Sequence, residues 1–291
     1  MIKANPHVVD TAHIRQNWIP NEDFACMVLN AAHLILPYGE LWMCRLFHQS
    51  IPRITNEKLL SDVKAFIAQE GNHAKAHRSV MNEFAAQGSD FSISHRLLTK
   101  TFSVTFGEKL FGRWQVSGNW VLRWLRWRIG IVAVLEHITC MLGGWLVENT
   151  AFQQAGADEN MIQLFKWHGA EEVEHRSVAH DLHNHLGGNQ LFRIGIYLPM
   201  AFLVIYTWMR ATQRFINDQY AGQRRFGLRD YIAASRKGLL PTFTFLLMSG
   251  LSYLRLNFNP ETHIREETIA ACDAFIGSYQ KSIAPDTIDA L

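Results

Sequence analysis

The sequence predicts an all-α protein: a four-helix bundle with a C-terminal helical extension. Long stretches place apolar residues at a 3.6-residue period, and the alternating apolar and polar runs typical of strands are scarce. In addition, Glu70-Gly-Asn-His73 and Glu172-Val-Glu-His175 repeat one Glu-x-x-His pattern at an offset of 102 residues. Four-helix bundles with two metal ions use such a pair of motifs. We predict the metal-binding bundle over 1–187 and an apolar helical extension over 188–291.

Four core helices are predicted, over residues 21–48, 56–87, 119–150 and 158–185. Asn21 is expected to cap the first helix, and Pro37 is expected to kink it. Gly88 ends the second helix, and Gly187 with the next glycine ends the fourth. Residues 88–117 are predicted to be the long crossover that joins the two helix pairs.

Each core helix carries at least one carboxylate within its apolar face. Glu40 precedes Glu70 by 30 residues and Glu136 precedes Glu172 by 36, which indicates two similar helix pairs. A lone Glu-x-x-His is common and carries little weight, but an unpaired carboxylate among the apolar neighbours of Glu136 would be costly. A metal would offset that cost. The candidate ligands are therefore Glu40, Glu70, His73, Glu136, Glu172 and His175.

Histidines near the two motifs extend this set. His168 lies four residues before Glu172, so it shares a helical face with Glu172 and His175. We expect His77 and Glu171 to hydrogen-bond the ligands from the second shell, although His77 could also be a ligand or an ordinary core residue. The remaining histidines of this region are expected to make polar contacts and helix caps: His137, His180, His183 and His185.

Composition restricts the metal and the compartment. Carboxylate and imidazole ligands without thiolate favour iron or manganese over structural zinc. The four cysteines are scattered, and the N-terminus carries no secretory signal, so a cytoplasmic location is expected. The net charge of +2 gives no general case for nucleic-acid binding.

The candidate ligand set resembles that of the ferritin-like di-iron carboxylate superfamily. Over most of its length the chain also resembles a bacterial family labelled "predicted metal-dependent hydrolase". The segment 171–175 is similar to the Asp-Glu-x-Arg-His motif of di-iron monooxygenases and ribonucleotide reductase small subunits, with Glu174 in place of the arginine. The pattern His168-x-x-x-Glu172-x-x-His175 is similar to the ligand helix of the p-aminobenzoate N-oxygenase type, which implies a third histidine ligand.

These resemblances imply a non-haem di-iron oxygenase, a hydroxylase or N-oxygenase of an apolar or aromatic small molecule, with O₂ as co-substrate. Two iron ions, or manganese or zinc, would be held by Glu40, Glu70, His73, Glu136, His168, Glu172 and His175. No reductase or flavin motif is present, so the electron donor would be a separate protein. The alternatives are a dinuclear hydrolase of an ester or amide, and a non-enzymatic metal-storage or sensing protein.

Two apolar runs, 194–209 and 238–254, dominate the extension. Both are shorter than the ~20 residues that a spanning helix needs. We therefore favour helices packed on the bundle over shallow insertion into a membrane or a membrane-spanning hairpin. The sequence leaves open whether the chain forms a homodimer. Tryptophans interleaved with arginines over 113–128 allow the same two interpretations, packing or a peripheral membrane contact.

Overall fold

The computed structural model describes residues 10–110, 112–221 and 223–287. These residues form helices and connecting turns, with one isolated bridge between Leu110 and Trp114. The prediction of an all-α fold is confirmed. The helices α1 to α12 are, in order, Asp23–Ser50, Glu57–Ala86, Ser92–Val104, Asn119–Glu148, Ala151–Gln154, Glu159–Glu174, Val178–His185, Gln190–Tyr220, Leu228–Arg236, Phe243–Tyr253, Pro260–His263 and Glu266–Thr287.

Two helix pairs form the bundle. Helix α1 packs along α2, and α4 packs along α6 and α7. Side-chain caps define two of the starts: Asn56 accepts a hydrogen bond from the Leu59 amide, and Asp158 accepts one from the Met161 amide. The predicted core helices lie within two residues of the observed ones at most ends.

The start of α1 and the course of the fourth helix differ from the prediction. Asn21 does not cap α1; it has a φ of 60°, and Glu22 is the N-cap residue. The predicted fourth helix divides into α6 and α7 at His175. The His175 amide still bonds to Glu171, but the Val178 amide bonds to the His175 carbonyl at 3.0 Å, which tightens the chain into a turn.

The connection between the pairs contains a helix that was not predicted, α3. Asp90 accepts a hydrogen bond from the Ser92 amide at its start. Near its end, Phe102 packs on Trp42 with ring centroids 5.9 Å apart. The crossover therefore lies against α1.

Helices α4 and α6 cross in backbone contact at Gly143 and Gly169. A Cβ atom added to Gly143 would lie 2.5 Å from the Gly169 carbonyl oxygen, and one added to Gly169 would lie 2.8 Å from the Gly143 Cα. Such a distance leaves no room for a methyl group. The crossing brings together the two helices that carry Glu136 and Glu172.

The extension packs on the bundle through α12, which lies against α4 and α6, and through one face of α8. On that face Tyr197 and Phe215 are buried, and the Trp208 indole donates to the Val28 carbonyl at 2.8 Å. The opposite face of α8, and much of α10, is exposed and apolar. The sequence of α8 did not distinguish its two faces. Residues 194–209 are uncharged, so the pattern does not mark which side of the helix is covered.

Three helical stretches among the described residues are long and apolar enough to cross a membrane: Asp23–Arg53, Asn119–Glu148 and Gln190–Tyr220. The first two are mostly buried in the bundle and carry candidate ligands. In the third, only 17% of the most apolar 18-residue window is buried. The cytoplasmic location stays a prediction.

Candidate metal centre

The bundle brings the seven candidate ligands together in its interior. Helix α1 supplies Glu40, α2 supplies Glu70 and His73, and α4 supplies Glu136. The remaining three come from α6 and from the turn that follows it: His168, Glu172 and His175. None of the seven is more than 6% exposed.

One group of possible donor atoms comes from Glu70, His73, Glu172 and His175, whose atoms all lie within 4.8 Å of one another. The Glu70 Oε1 atom is 3.2 Å from His175 Nε2 and 3.5 Å from His73 Nδ1. Both Glu-x-x-His motifs therefore meet at one point.

A second group, Glu40, His73 and His168, shares His73 with the first. His168 Nε2 lies 3.9 Å from Glu40 Oε1 and 2.8 Å from Glu172 Oε1. Glu136 belongs to neither group, although its Oε2 atom is 2.9 Å from His175 Nδ1. Six of the seven candidates thus fall into two overlapping groups.

Several of these buried atoms make no hydrogen bond despite their short separations. They include both oxygens of Glu40, Glu70 Oε1, His73 Nδ1, Glu136 Oε2 and both ring nitrogens of His175. Buried polar atoms without partners are costly and call for an explanation. Divalent cations would satisfy them, and a set of oxygen and imidazole donors fits iron or manganese.

The net charge of the cluster depends on which of its carboxylates and imidazoles are protonated. Burial, and then the charge of Glu70, raises the pKa of Glu40 well above its usual range. Burial and the Glu172 charge raise the pKa of Glu136 to about 8. Burial alone would lower the pKa of His73 and His175, but the carboxylates around them raise it well above its usual range. The cluster by itself therefore favours protonated Glu40 and Glu136 and charged His73 and His175, whereas burial lowers the pKa of His168.

Metal uptake is expected to release protons and to strengthen as the pH rises from about 6 to 8. Ligation requires ionised carboxylates and neutral imidazoles, whereas the metal-free cluster holds protons on groups whose pKa is raised. Calorimetric titration of Mn²⁺ in two buffers of different ionisation enthalpy measures the protons released. Equal affinity at pH 6 and pH 8 with no proton release would contradict this account.

A second layer of contacts orients the candidate ligands. His73 Nε2 lies 2.9 Å from Glu171 Oε2, so Glu171 holds that ring with Nδ1 directed at the cluster. Thr139 donates to Glu172 Oε2 at 2.5 Å. Thr139 was not predicted as a site residue, although it lies three residues after Glu136 and hence on the same face of α4.

Three histidines form a chain that leads away from the cluster. His168 Nδ1 lies 2.6 Å from His77 Nε2, and His77 Nδ1 lies 2.7 Å from His33 Nδ1. If His168 Nε2 presents a lone pair to a metal, its Nδ1–H must donate to His77, and His77 must donate to His33. Burial lowers the pKa of His33 to about 3, so that ring stays neutral. His33 was also missed, although it lies two turns before Glu40 on the same face.

His77→Leu is expected to weaken metal binding by about 10- to 100-fold, the usual cost of losing an outer contact to a ligand. His77→Gln should lose less, because its amide can accept from His168 and donate to His33. His48→Leu, at an exposed histidine in the last turn of α1, is the control. Equal affinities of all four proteins, measured by competition with a chelator, would show that the chain does not orient His168.

The two helix pairs are similar but unequal. The 102-residue offset that relates Glu70 to Glu172 and His73 to His175 places Phe66 where the second pair has His168. The Phe66 ring packs edge-on against His175 with centroids 4.9 Å apart. The third histidine therefore serves one side of the centre only.

A small cavity lies between α4, α7, α10 and α11. Its volume is about 10 Å³, room for one water molecule. His137 and Cys140 of α4 line it, with His180, Tyr253 and His263 opposite. None of the seven candidate ligands lines this cavity, although Cys140 lies one turn after Glu136 on α4.

A family model described as "Predicted metal-dependent hydrolase" matches residues 5–263. The match includes all seven candidate ligands and continues through α8 and α10 to α11. Searches of the curated proteins and of the solved structures returned no match.

Proposed function

The chain belongs to the family of predicted metal-dependent hydrolases, and from that membership we propose that it is a dinuclear hydrolase of an apolar ester or amide. The observation that supports this most is the buried cluster of carboxylates and imidazoles with unsatisfied donor atoms. Two bound divalent cations would supply Lewis acidity and a water of lowered pKa.

The chain's own residues supply the rest of the chemistry. Glu171 and Thr139 orient His73 and Glu172, and the bundle excludes bulk water. Glu136 is protonated in the metal-free cluster, but bound cations would favour its ionised form. Because Glu136 lies outside both ligand groups, the Oε2 atom of the ionised carboxylate would take the proton of the attacking water. When the acyl carbon–oxygen or carbon–nitrogen bond breaks, the same atom returns that proton to the departing alcohol or amine.

Glu136→Gln is expected to retain metal and to lower kcat by about 10²- to 10⁴-fold, because an amide cannot accept the proton. Metal content by elemental analysis and ester turnover are measured on the same preparation. Loss of metal together with activity would instead make Glu136 a ligand, as the sequence analysis predicts.

A non-haem oxygenase is the second candidate, favoured by one observation. His168 lies beside Glu40 and His73, which gives one side of the centre two imidazoles and a carboxylate. Such a chain would consume O₂ when loaded with ferrous iron and supplied with an electron donor.

One experiment separates the two candidates. The full chain is loaded anaerobically with Fe²⁺, Mn²⁺ or Zn²⁺ and assayed with aryl esters and anilides of increasing chain length. Hydrolysis without O₂ is the expected result. O₂ consumption that requires Fe²⁺ and a reductant, with no hydrolysis under any metal, would overturn the hydrolase proposal.

A further inference from the structure

The outer face of α8 carries a row of apolar side chains that no other described part of the chain covers. The exposed members are Leu191, Leu198, Phe202, Ile205, Tyr206 and Met209. Their spacing of three, four and seven residues places them along one side of the helix. Phe202 is 72% exposed. A helix on the surface of a soluble protein normally has charged and polar residues there.

Helix α10 extends this surface. Its exposed side chains include Phe243, Leu246, Leu247, Met248 and Leu251. The two helices touch where Tyr197 packs against Tyr253, with ring centroids 5.2 Å apart. We call the combined surface the α8–α10 face. Contiguous apolar patches on proteins mark sites of association.

Along the chain, the charges that flank the α8–α10 face are mostly basic, although Arg193 is buried and Arg224 and Lys237 pair with Asp23 and Glu22. Only two acidic residues, Asp218 and Asp230, occur between 186 and 258. The same stretch contains nine basic residues: Arg193, Arg210, Arg214, Arg224, Arg225, Arg229, Arg236, Lys237 and Arg255. Exposed Arg210 directly follows the row on α8, and exposed Arg255 follows α10. Apolar residues flanked by arginines match the chemistry of an anionic lipid surface.

The length and packing of α8 argue against a helix that spans the membrane. Helix α8 as a whole is long and apolar enough to cross a bilayer, but its uncharged part, 194–209, has 16 residues and so a length of about 24 Å, short of the ~30 Å hydrocarbon core. The face of α8 opposite the exposed row packs on α1 and α4. At its start Arg193 is buried and donates to the carbonyls of Tyr253 and Arg255. Helix α8 is therefore fixed against the bundle with one side free.

A second copy of the chain is a poorer fit to this surface. Two α8–α10 faces brought together would place arginines of both copies side by side, and like charges across an interface are costly. The stretch 186–258 offers few carboxylates to compensate.

We propose that the α8–α10 face binds peripherally to an anionic phospholipid bilayer, with α8 lying in the plane of the interface. Its apolar side chains enter the boundary between headgroups and acyl chains, and the arginines contact lipid phosphates. The metal centre then lies on the opposite side of α1 and α4, close to the surface where apolar compounds collect.

Vesicle flotation of the full chain tests the proposal. The protein is mixed with phosphatidylcholine vesicles or with vesicles that contain 30% phosphatidylglycerol. We expect at least about tenfold stronger binding to the anionic vesicles, weakened by 0.5 M salt. Phe202→Asp should lower that binding by at least about tenfold. Ala68→Asp adds the same charge on the exposed side of α2 and should leave it unchanged.

Thermal unfolding and Mn²⁺ binding check that each variant is folded, and Leu198→Asp replaces Phe202→Asp if the latter unfolds. Absence of binding to anionic vesicles would overturn the proposal, as would equal binding to both vesicle types. A dimer in sedimentation that Phe202→Asp converts to monomer, without vesicle binding, would assign the face to a second copy instead.

Discussion

Glu172→Gln is expected to remove bound metal and to lower activity by more than about 100-fold. Losing an outer contact to a ligand costs up to about 100-fold, and losing the ligand itself should cost more. Glu172 belongs to the first group of donor atoms and also touches the second, since its Oε1 atom lies 2.8 Å from His168. Its other oxygen accepts the Thr139 hydroxyl. The amide keeps the size of the side chain and loses the charge, so the loss reports on ligation.

The control is Glu174→Gln, two residues further along α6. Glu174 accepts a hydrogen bond from Gln69 at 2.8 Å and belongs to neither group of donor atoms. Elemental analysis of both variants after identical metal loading is the measurement. Full metal content in Glu172→Gln, or equal losses in the two variants, would refute the assignment of Glu172 as a ligand.

Gly169→Ala is expected to destabilise the fold by about 1–3 kcal/mol, the usual cost of overpacking, and to weaken metal binding. The added methyl group would meet the Gly143 backbone at 2.8 Å, so α4 and α6 must separate. Backbone cannot move aside as a flexible side chain can. Because Glu136 lies on one of these helices and His168 and Glu172 on the other, their separation also opens the metal centre.

Gly71→Ala makes the same chemical change beside a different candidate ligand, Glu70. A Cβ atom at Gly71 meets nothing within 4 Å. Alanine in that helix should be neutral or stabilise by about 0.5–1 kcal/mol. Urea unfolding and Mn²⁺ titration of the two variants give the comparison. Equal stability of both would show that the contact between Gly143 and Gly169 tolerates a methyl group.

Periodicity predicted the core helices well. It also identified the candidate ligands, because each lies within a long apolar stripe, and their role as ligands stays a prediction. Glu40, Glu70 and Glu136 are conspicuous for that reason: each is a lone charge on a face otherwise buried. The turn at His175 was not predictable in the same way, since Val178 and Leu182 continue the apolar pattern beyond it. Helix α3 was missed because the whole segment was interpreted as a crossover; its apolar residues Ile93, Leu97, Leu98 and Phe102 do have helical spacing, although none of its residues is fully buried.

Features that depend on distant partners could not be derived from local pattern. The contact of Gly143 with Gly169 joins two glycines that are unremarkable in their own helices. The contact of His33 with His77 joins residues 44 positions apart. Likewise, whether a uniformly apolar helix such as α8 is covered on one side or both depends on the bundle it meets.

The replacement of one histidine by Phe66 has a consequence for occupancy. The group that contains Glu40 has two imidazoles, His73 and His168, and one carboxylate, whereas the group of Glu70, His73, Glu172 and His175 has two imidazoles and two carboxylates. The edge of the Phe66 ring, rather than a third imidazole, lies against His175. Imidazole ligands favour later first-row metals, and carboxylates favour manganese and magnesium. We therefore expect the two positions to differ in the metal that each prefers.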